Sequence, residues 1–206
     1  MKIHGEDRLL TLPKNDQGIA HARQWIKKHC ADEYHWQLDD DKVFKRRVQD
    51  EAGKWSNQPA PASAVMCEIE AFVSQYSNIG AAGPITHTFA HGFDKRGEQG
   101  DVHHFNRQVC SFLLMKTAQA AEFRPGTIED TDFNLQILTG REGDLSEPRA
   151  DAECTVVFHR LLVEGPAGKK SGGNHDGLFY GRADVLRAKQ QRVIDLWPTR
   201  GFAIKE

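Results

Sequence analysis

The sequence predicts an α+β fold: N-terminal helices, then a curved antiparallel sheet of four or five strands with a further helix packed on it. Three observations lead there. Apolar residues recur at helical spacing through residues 1–80, alternate with small or polar residues from Pro84, and run almost unbroken from Cys154 to Val163. Together they divide one expected domain, 1–206, into a helical part (1–80) and a mainly sheet part (84–206).

The elements follow in order. Asn15 or Asp16 can cap a helix carrying Ile19, Ala22, Ile26 and Cys30 on one face. A short polar-aromatic piece, EYHWQL, comes next. Asp39, Asp40 and Asp41 then stand where carboxylates favour a helix start, and a second helix would turn Val43, Phe44, Val48 and Ala52 inward. The prolines of SNQPAPAS (56–63) mark a linker. Ser63 caps the most regular stripe in the chain, Val65, Ile69, Phe72, Val73 and Tyr76, which Gly80 ends.

Beyond the GAAGP loop, Ile85, His87, Phe89, His91 and Phe93 alternate with smaller residues, which favours a strand. DKRGEQG (94–100) reads as a loop. Residues 101–121 fit two patterns: Phe105, Val109, Phe112, Leu113 and Ala120 suit a helix, while VCSFLLM alone suits a buried strand. Length favours the helix. FNLQIL alternates Phe133, Leu135 and Ile137. CTVVFHRLLV is apolar on both faces, as a central covered strand should be. LFYGRADVL and RVIDLW read as an antiparallel hairpin turning near Lys189 and Gln190. In element order alone this resembles the cone-shaped folds of the nuclear-transport-factor-2 type.

Bulk properties exclude several classes. Net charge is −2 with 27% charged residues, and non-specific nucleic-acid binding would need an excess of Lys and Arg. Cys30, Cys67, Cys110 and Cys154 are far apart and form no CxxC pair, so neither a disulfide framework nor a zinc knuckle is expected. MKIHGEDRLL is too polar for a signal peptide, and no apolar run reaches the ~20 residues a bilayer requires. The expected location is cytoplasmic, with no membrane, no metal and no cofactor.

Histidine is the outlier, at ten residues, with His87, His91, His103 and His104 close together. In a helix, His87 and His91 would stand ~6 Å apart, within reach of one metal. In a strand they share a face ~13 Å apart and line two sides of a pocket instead. There either one can act as a general base beside Asp94, Glu98 or Asp101. Within the C-terminal apolar runs, His159 and Arg160 on one side and Arg182 and Asp184 on the other introduce polar groups. They belong either to a pocket, with Arg160 meeting Asp184 or Glu153, or to a solvent face; both readings stay open.

Other motifs fail on spacing. GPAGKKSGG (165–173) would need glycine at Val163 to make a phosphate loop and reads as a basic hairpin loop. His175 and Asp176 are turn residues, and no serine lies in a GxSxG elbow.

Two functions follow. The first is a non-enzymatic accessory or inhibitory protein, of the kind a mobile genetic element encodes, that binds a partner protein. Its contacts would be Lys95, Arg96, Lys169 and Lys170. The alternative is a pocket enzyme or small-ligand binder, with His87, His91, His159 and Asp184 as catalytic candidates. A homodimer is compatible with either.

Overall fold

The computed structural model describes residues 11–14, 17–40, 42–87, 90, 102–139, 153–165 and 183–198. Among them are four helices and seven strands in one mixed sheet. In chain order these are α1 (Ile19–His29), β1 (Tyr34–Leu38), β2 (Val43–Gln49), β3 (Trp55–Pro59), α2 (Ala62–Val73) and β4 (Ile79–Thr86). Then follow β5 (His103–Phe105), β6 (Phe112–Lys116), α3 (Glu129–Thr139), β7 (Cys154–Glu164) and α4 (Ala183–Leu196). The sheet runs β1-β6-β4-β7-β2-β3, with β5 paired to β7. All pairings are antiparallel except that of β4 and β7.

The α+β class holds, but the order and direction of the elements do not. Strands begin at residue 34, so the division into a helical part before residue 80 and a sheet after it fails. The parallel β4–β7 pair also rules out the all-antiparallel sheet and the cone-type arrangement. Residues 43–49, expected as helix, form strand β2, because Phe44 and Val48 share a face at strand spacing as well as helical spacing. Phe44 meets the edge of Phe112 at 4.6 Å between ring centres. Residues 56–59, expected as linker, pair with β2 as edge strand β3, where a proline needs no ladder partner.

The predicted strand from Pro84 to Phe93 ends at Thr86, and it starts earlier, in the residues read as a loop. In 101–121 the strand reading wins: β5 and β6 replace the expected helix. FNLQIL lies in helix α3, with Phe133 and Ile137 buried one turn apart. The first half of the expected C-terminal hairpin falls mostly outside the described residues, and the second half is helix α4. The expectation for β7 matches what is seen, and that for α2 holds in its core stripe only. The helix begins at Ala62 after Pro61 rather than being capped by Ser63, and it ends at Val73, leaving Tyr76 exposed beyond it and Gly80 in β4. Val65, Ile69 and Val73 are buried, and β7 is covered on both faces along most of its length.

Two apolar layers hold the sheet. On one face α2 packs Val65, Ile69 and Val73 against Ile79, Ala82, Leu114, Val156 and Phe158. On the other, Ala20 of α1 and Phe133 and Ile137 of α3 meet Ala81, Leu113, Met115 and Val157. Each fully buried aliphatic side chain contributes ~1.5–3 kcal/mol to such a core. The inward face of α1 is Ala20 and Arg23, while Ile26 is exposed. The predicted stripe was out of phase, because an arginine takes an inward position.

Gly83 permits the β4–β6 approach. A Cβ there would overlap the Phe112 carbonyl oxygen and stand 2.7 Å from Val109 Cγ1.

A charged rim at the ends of the parallel strands

Strands β4 and β7 end side by side, with Thr86 opposite Val163. β2 starts at the same edge, with Val43 opposite Glu164, and Leu38 at the end of β1 pairs with Phe112 at the start of β6. The chain therefore delivers Asp39, Lys42, Thr86, Cys110 and Glu164 to one rim. Ligands of α/β sheets collect outside the carboxyl ends of parallel strands, because loops and helix starts converge there.

Charge is concentrated on this rim. Arg23, only 6% exposed, donates through Nη2 to Asp39 Oδ1 at 3.2 Å. Its Nη1 is also buried and has no hydrogen-bond partner among the described residues. Buried guanidinium N–H groups are nearly always paired, so an open one marks a place for an acceptor. Lys42 Nζ lies 3.8 Å from Asp39 Oδ2. Lys45 pairs closely with Glu164, and that hydrogen bond holds the Glu164 carboxyl below the usual range. His87 Nδ1 is 4.0 Å from Glu164 Oε1.

Two further carboxylates come from the start of α3. Burial pushes the Glu129 carboxyl above the ordinary value, and the neighbouring Asp130 charge adds to this. Burial raises Asp130 too, against the opposing pull of Arg23. Asp130 keeps partial exposure, whereas Glu129 is 5% exposed. Asn134 fixes the segment beside them: its Oδ1 accepts from Val109 N at 3.0 Å and its Nδ2 donates to Val109 O at 2.8 Å. That clamp places Cys110 at the rim, 3.1 Å from Thr86 Oγ1, with its thiol pushed up to about 11 by burial. Ser111 follows with φ 65, a left-handed conformation costly for a residue with a side chain.

Of the histidines predicted to line a pocket, His87 and His159 occupy different parts of the sheet. His87 belongs to the rim. His159 is fully buried in β7, where its Nε2 accepts from Arg47 Nη1 at 2.9 Å and its ring lies 5.4 Å from that of His104. Arg47 and Arg160 both lie over Trp55, at 5.7 and 5.5 Å. Asp184 is exposed on α4, and Glu153 pairs with Lys116 at 2.9 Å. His91, Lys95, Arg96, Lys169 and Lys170 lie outside the described residues. Among the described residues, no group of three or more His, Cys, Asp or Glu is arranged to hold a metal. No helix among them is long and apolar enough to cross a membrane.

Sequence reasoning missed Arg23, Glu129 and Asp130. The acidic run Glu129-Asp130-Thr131-Asp132 was the available signal, since carboxylates gather at helix starts. Arg23 carried none, because its burial depends on α1 lying across the sheet.

The fold and rim are those of a mixed-sheet α+β protein with buried acid groups beside a buried arginine, a combination suited to proton transfer next to an anion. The chain belongs to the TET-associated glycosyltransferase family, whose model matches residues 1–143. Comparison with curated proteins and with solved structures gave no match. The matched stretch spans α1 to α3 and includes Arg23, Asp39, Lys42, Thr86, Cys110, Glu129 and Asp130. Membership overturns the expectation of a non-enzymatic inhibitor acting through protein contacts, and the alternative of an enzyme fits better. Familiar motifs fail here because the rim is assembled from residues far apart in the chain, from Arg23 to Glu164, and leaves no short motif.

Proposed function

We propose that this chain transfers a glycosyl group from an activated donor to an acceptor hydroxyl, with the rim at the ends of β4 and β7 as its active site. Membership of a glycosyltransferase family is the observation that carries this reading. The rim supplies the groups the reaction needs. Asp130 takes the proton of the acceptor hydroxyl, whose oxygen forms the new bond to the anomeric carbon. The bond from that carbon to a phosphate-type leaving group breaks, and the electron pair leaves with the phosphate oxygen. Arg23 Nη1 and Lys42 face the growing anionic charge, where positive groups already in place stabilise a transition state most.

A carboxyl raised by burial suits a general base, because it is a stronger proton acceptor than an ordinary carboxylate. The test uses the full chain with a panel of nucleoside-diphosphate sugars and hydroxyl acceptors, reading acceptor-dependent release of the nucleoside diphosphate. Asp130→Asn should lower kcat ~10²–10⁴-fold, the usual weight of a positioned base. The acid limb of kcat/KM in the wild type should fall above the ordinary aspartate value of 3.8, the direction in which burial shifts Asp130. Full activity in a folded Asp130→Asn variant would remove the rim from the mechanism.

A further inference from the structure

On the opposite face of the sheet, β1 and the end of α2 enclose a groove of about 650 Å³. Strand alternation separates it from the rim. His35 and Gln37 turn towards α1, where Gln37 Nε2 donates to the Arg23 carbonyl at 3.0 Å, while Tyr34 and Trp36 turn towards the α2 layer. Three aromatic side chains line it, Tyr34, Trp36 and Tyr76, together with the carboxylates of Glu33 and Glu70. Val73 and Leu114 are its buried apolar residues.

The aromatic groups are held in place. Trp36 Nε1 donates to Glu70 Oε1 at 2.6 Å, and the Tyr34 hydroxyl donates to the Ile79 carbonyl at 3.1 Å. Tyr76 rests 5.0 Å from Phe72 between ring centres and remains 44% exposed. Tyr76 therefore presents an open ring face beside the acceptor oxygens of Glu33 and Glu70.

We infer that this groove is a binding site for a neutral saccharide, distinct from the rim. Sugar rings present C–H faces that pack on aromatic rings, and hydroxyl edges that need acceptors. The groove offers both: the aromatic surfaces, and the carboxylates of Glu33 and Glu70. A phosphorylated or acidic ligand is disfavoured by those same carboxylates. A lone ammonium would fill little of a groove of this volume, and Lys116 already stands at its margin, bonded to the Ser77 carbonyl and to Glu153 at 2.9 Å each. Preference for a saccharide over other neutral polar ligands rests on the glycosyl-transfer reading.

The experiment titrates the full chain with neutral oligosaccharides (maltotriose, cellotriose and chitotriose) and, separately, a lysine-rich peptide. It follows the Trp36 indole N–H resonance. At least one saccharide should shift that resonance saturably. Tyr76→Ala, which removes an exposed ring and leaves the core intact, should weaken that binding at least tenfold, and Glu70→Gln should weaken it less. Absence of any saccharide response, an unchanged affinity in folded Tyr76→Ala, or stronger binding of the peptide would each overturn the inference. The Asp130→Asn variant separates the two proposals: it should lose transfer and keep the Trp36 response. A Trp36 response in a wild type without transfer activity would sink the catalytic reading alone.

Discussion

Two aspartates two positions apart on α3 do opposite things, and helix geometry is the reason. Positions i and i+2 point to different sides, so Asp130 reaches the rim while Asp132 turns to α4. Asp132 is completely buried and accepts from Arg124 Nε at 2.7 Å and again from Arg124 Nη2. It also accepts from Gln136 Nε2 at 3.0 Å and Trp197 Nε1 at 2.8 Å. Asp132→Ala removes the buried carboxylate that accepts from Arg124, Gln136 and Trp197 together, which should cost about 3–5 kcal/mol in urea unfolding at unchanged m. A loss below about 1 kcal/mol would mean the network adds little beyond packing. Glu129 illustrates the reverse cost. Its folded carboxyl titrates above its ordinary value of 4.5, so the folded state holds the proton more tightly than the unfolded one. Stability from this group is therefore present below pH 4.5 and is lost as pH rises through the folded value. Glu129→Gln should match the wild type in melting temperature near pH 4 and exceed it at pH 7. An equal or lower melting temperature at pH 7 would contradict the charge-burial account.

At the scale of elements, the close contact of β4 with β6 depends on one missing side chain. Gly83→Ala must displace the Phe112 carbonyl, which is backbone in the adjacent strand and has little room to yield. The variant should be destabilised by more than 3 kcal/mol, at the severe end of point mutations, and its soluble yield should fall accordingly. A variant expressed and melting like the wild type would show that the two strands can separate without penalty. The same strands show what was readable beforehand. α2 and β7 were legible because each has one periodicity only: buried Val65, Ile69 and Val73 at helical spacing, and an apolar run too continuous for a surface element. β2 and α3 were exchanged because residues four apart share a face in both structures, as Phe44 and Val48 do in one and Phe133 and Ile137 in the other. The acidic run at 129–132 marks a helix start as Asp39 to Asp41 seemed to, and only tertiary pairing separates them: β1 ends at Leu38 and β2 begins at Val43. The rim was illegible for a related reason. Its groups come from α1, the β1–β2 connection, β4, the approach to β6, α3 and β7, and no local pattern records that convergence.

For the whole molecule the decisive strand is β7. It pairs with β4, β2 and β5 at once, so it joins the β1-β6-β4 half of the sheet to the β2-β3 half. It also lies beyond the family-matched stretch, which ends at residue 143. A fragment 1–143 would keep the rim's Arg23, Asp39, Asp130 and Glu129 but lose the strand that connects β4 to β2 among the described residues. It would also expose the partners of Val156, Val157, Phe158, Leu161 and Leu162, all at 2% exposure or less in the intact chain. Losing five such side chains at ~1.5–3 kcal/mol each removes on the order of 10 kcal/mol, comparable to the whole stability of a domain this size. Residues 1–143 alone should therefore lack a cooperative thermal transition and a dispersed amide spectrum. Co-expression with residues 144–206 should restore both, along with any glycosyl-transfer activity. A 1–143 fragment that melts cooperatively would mean that β2 and β3 dock on the rest of the sheet without β7, contrary to the pairing seen here.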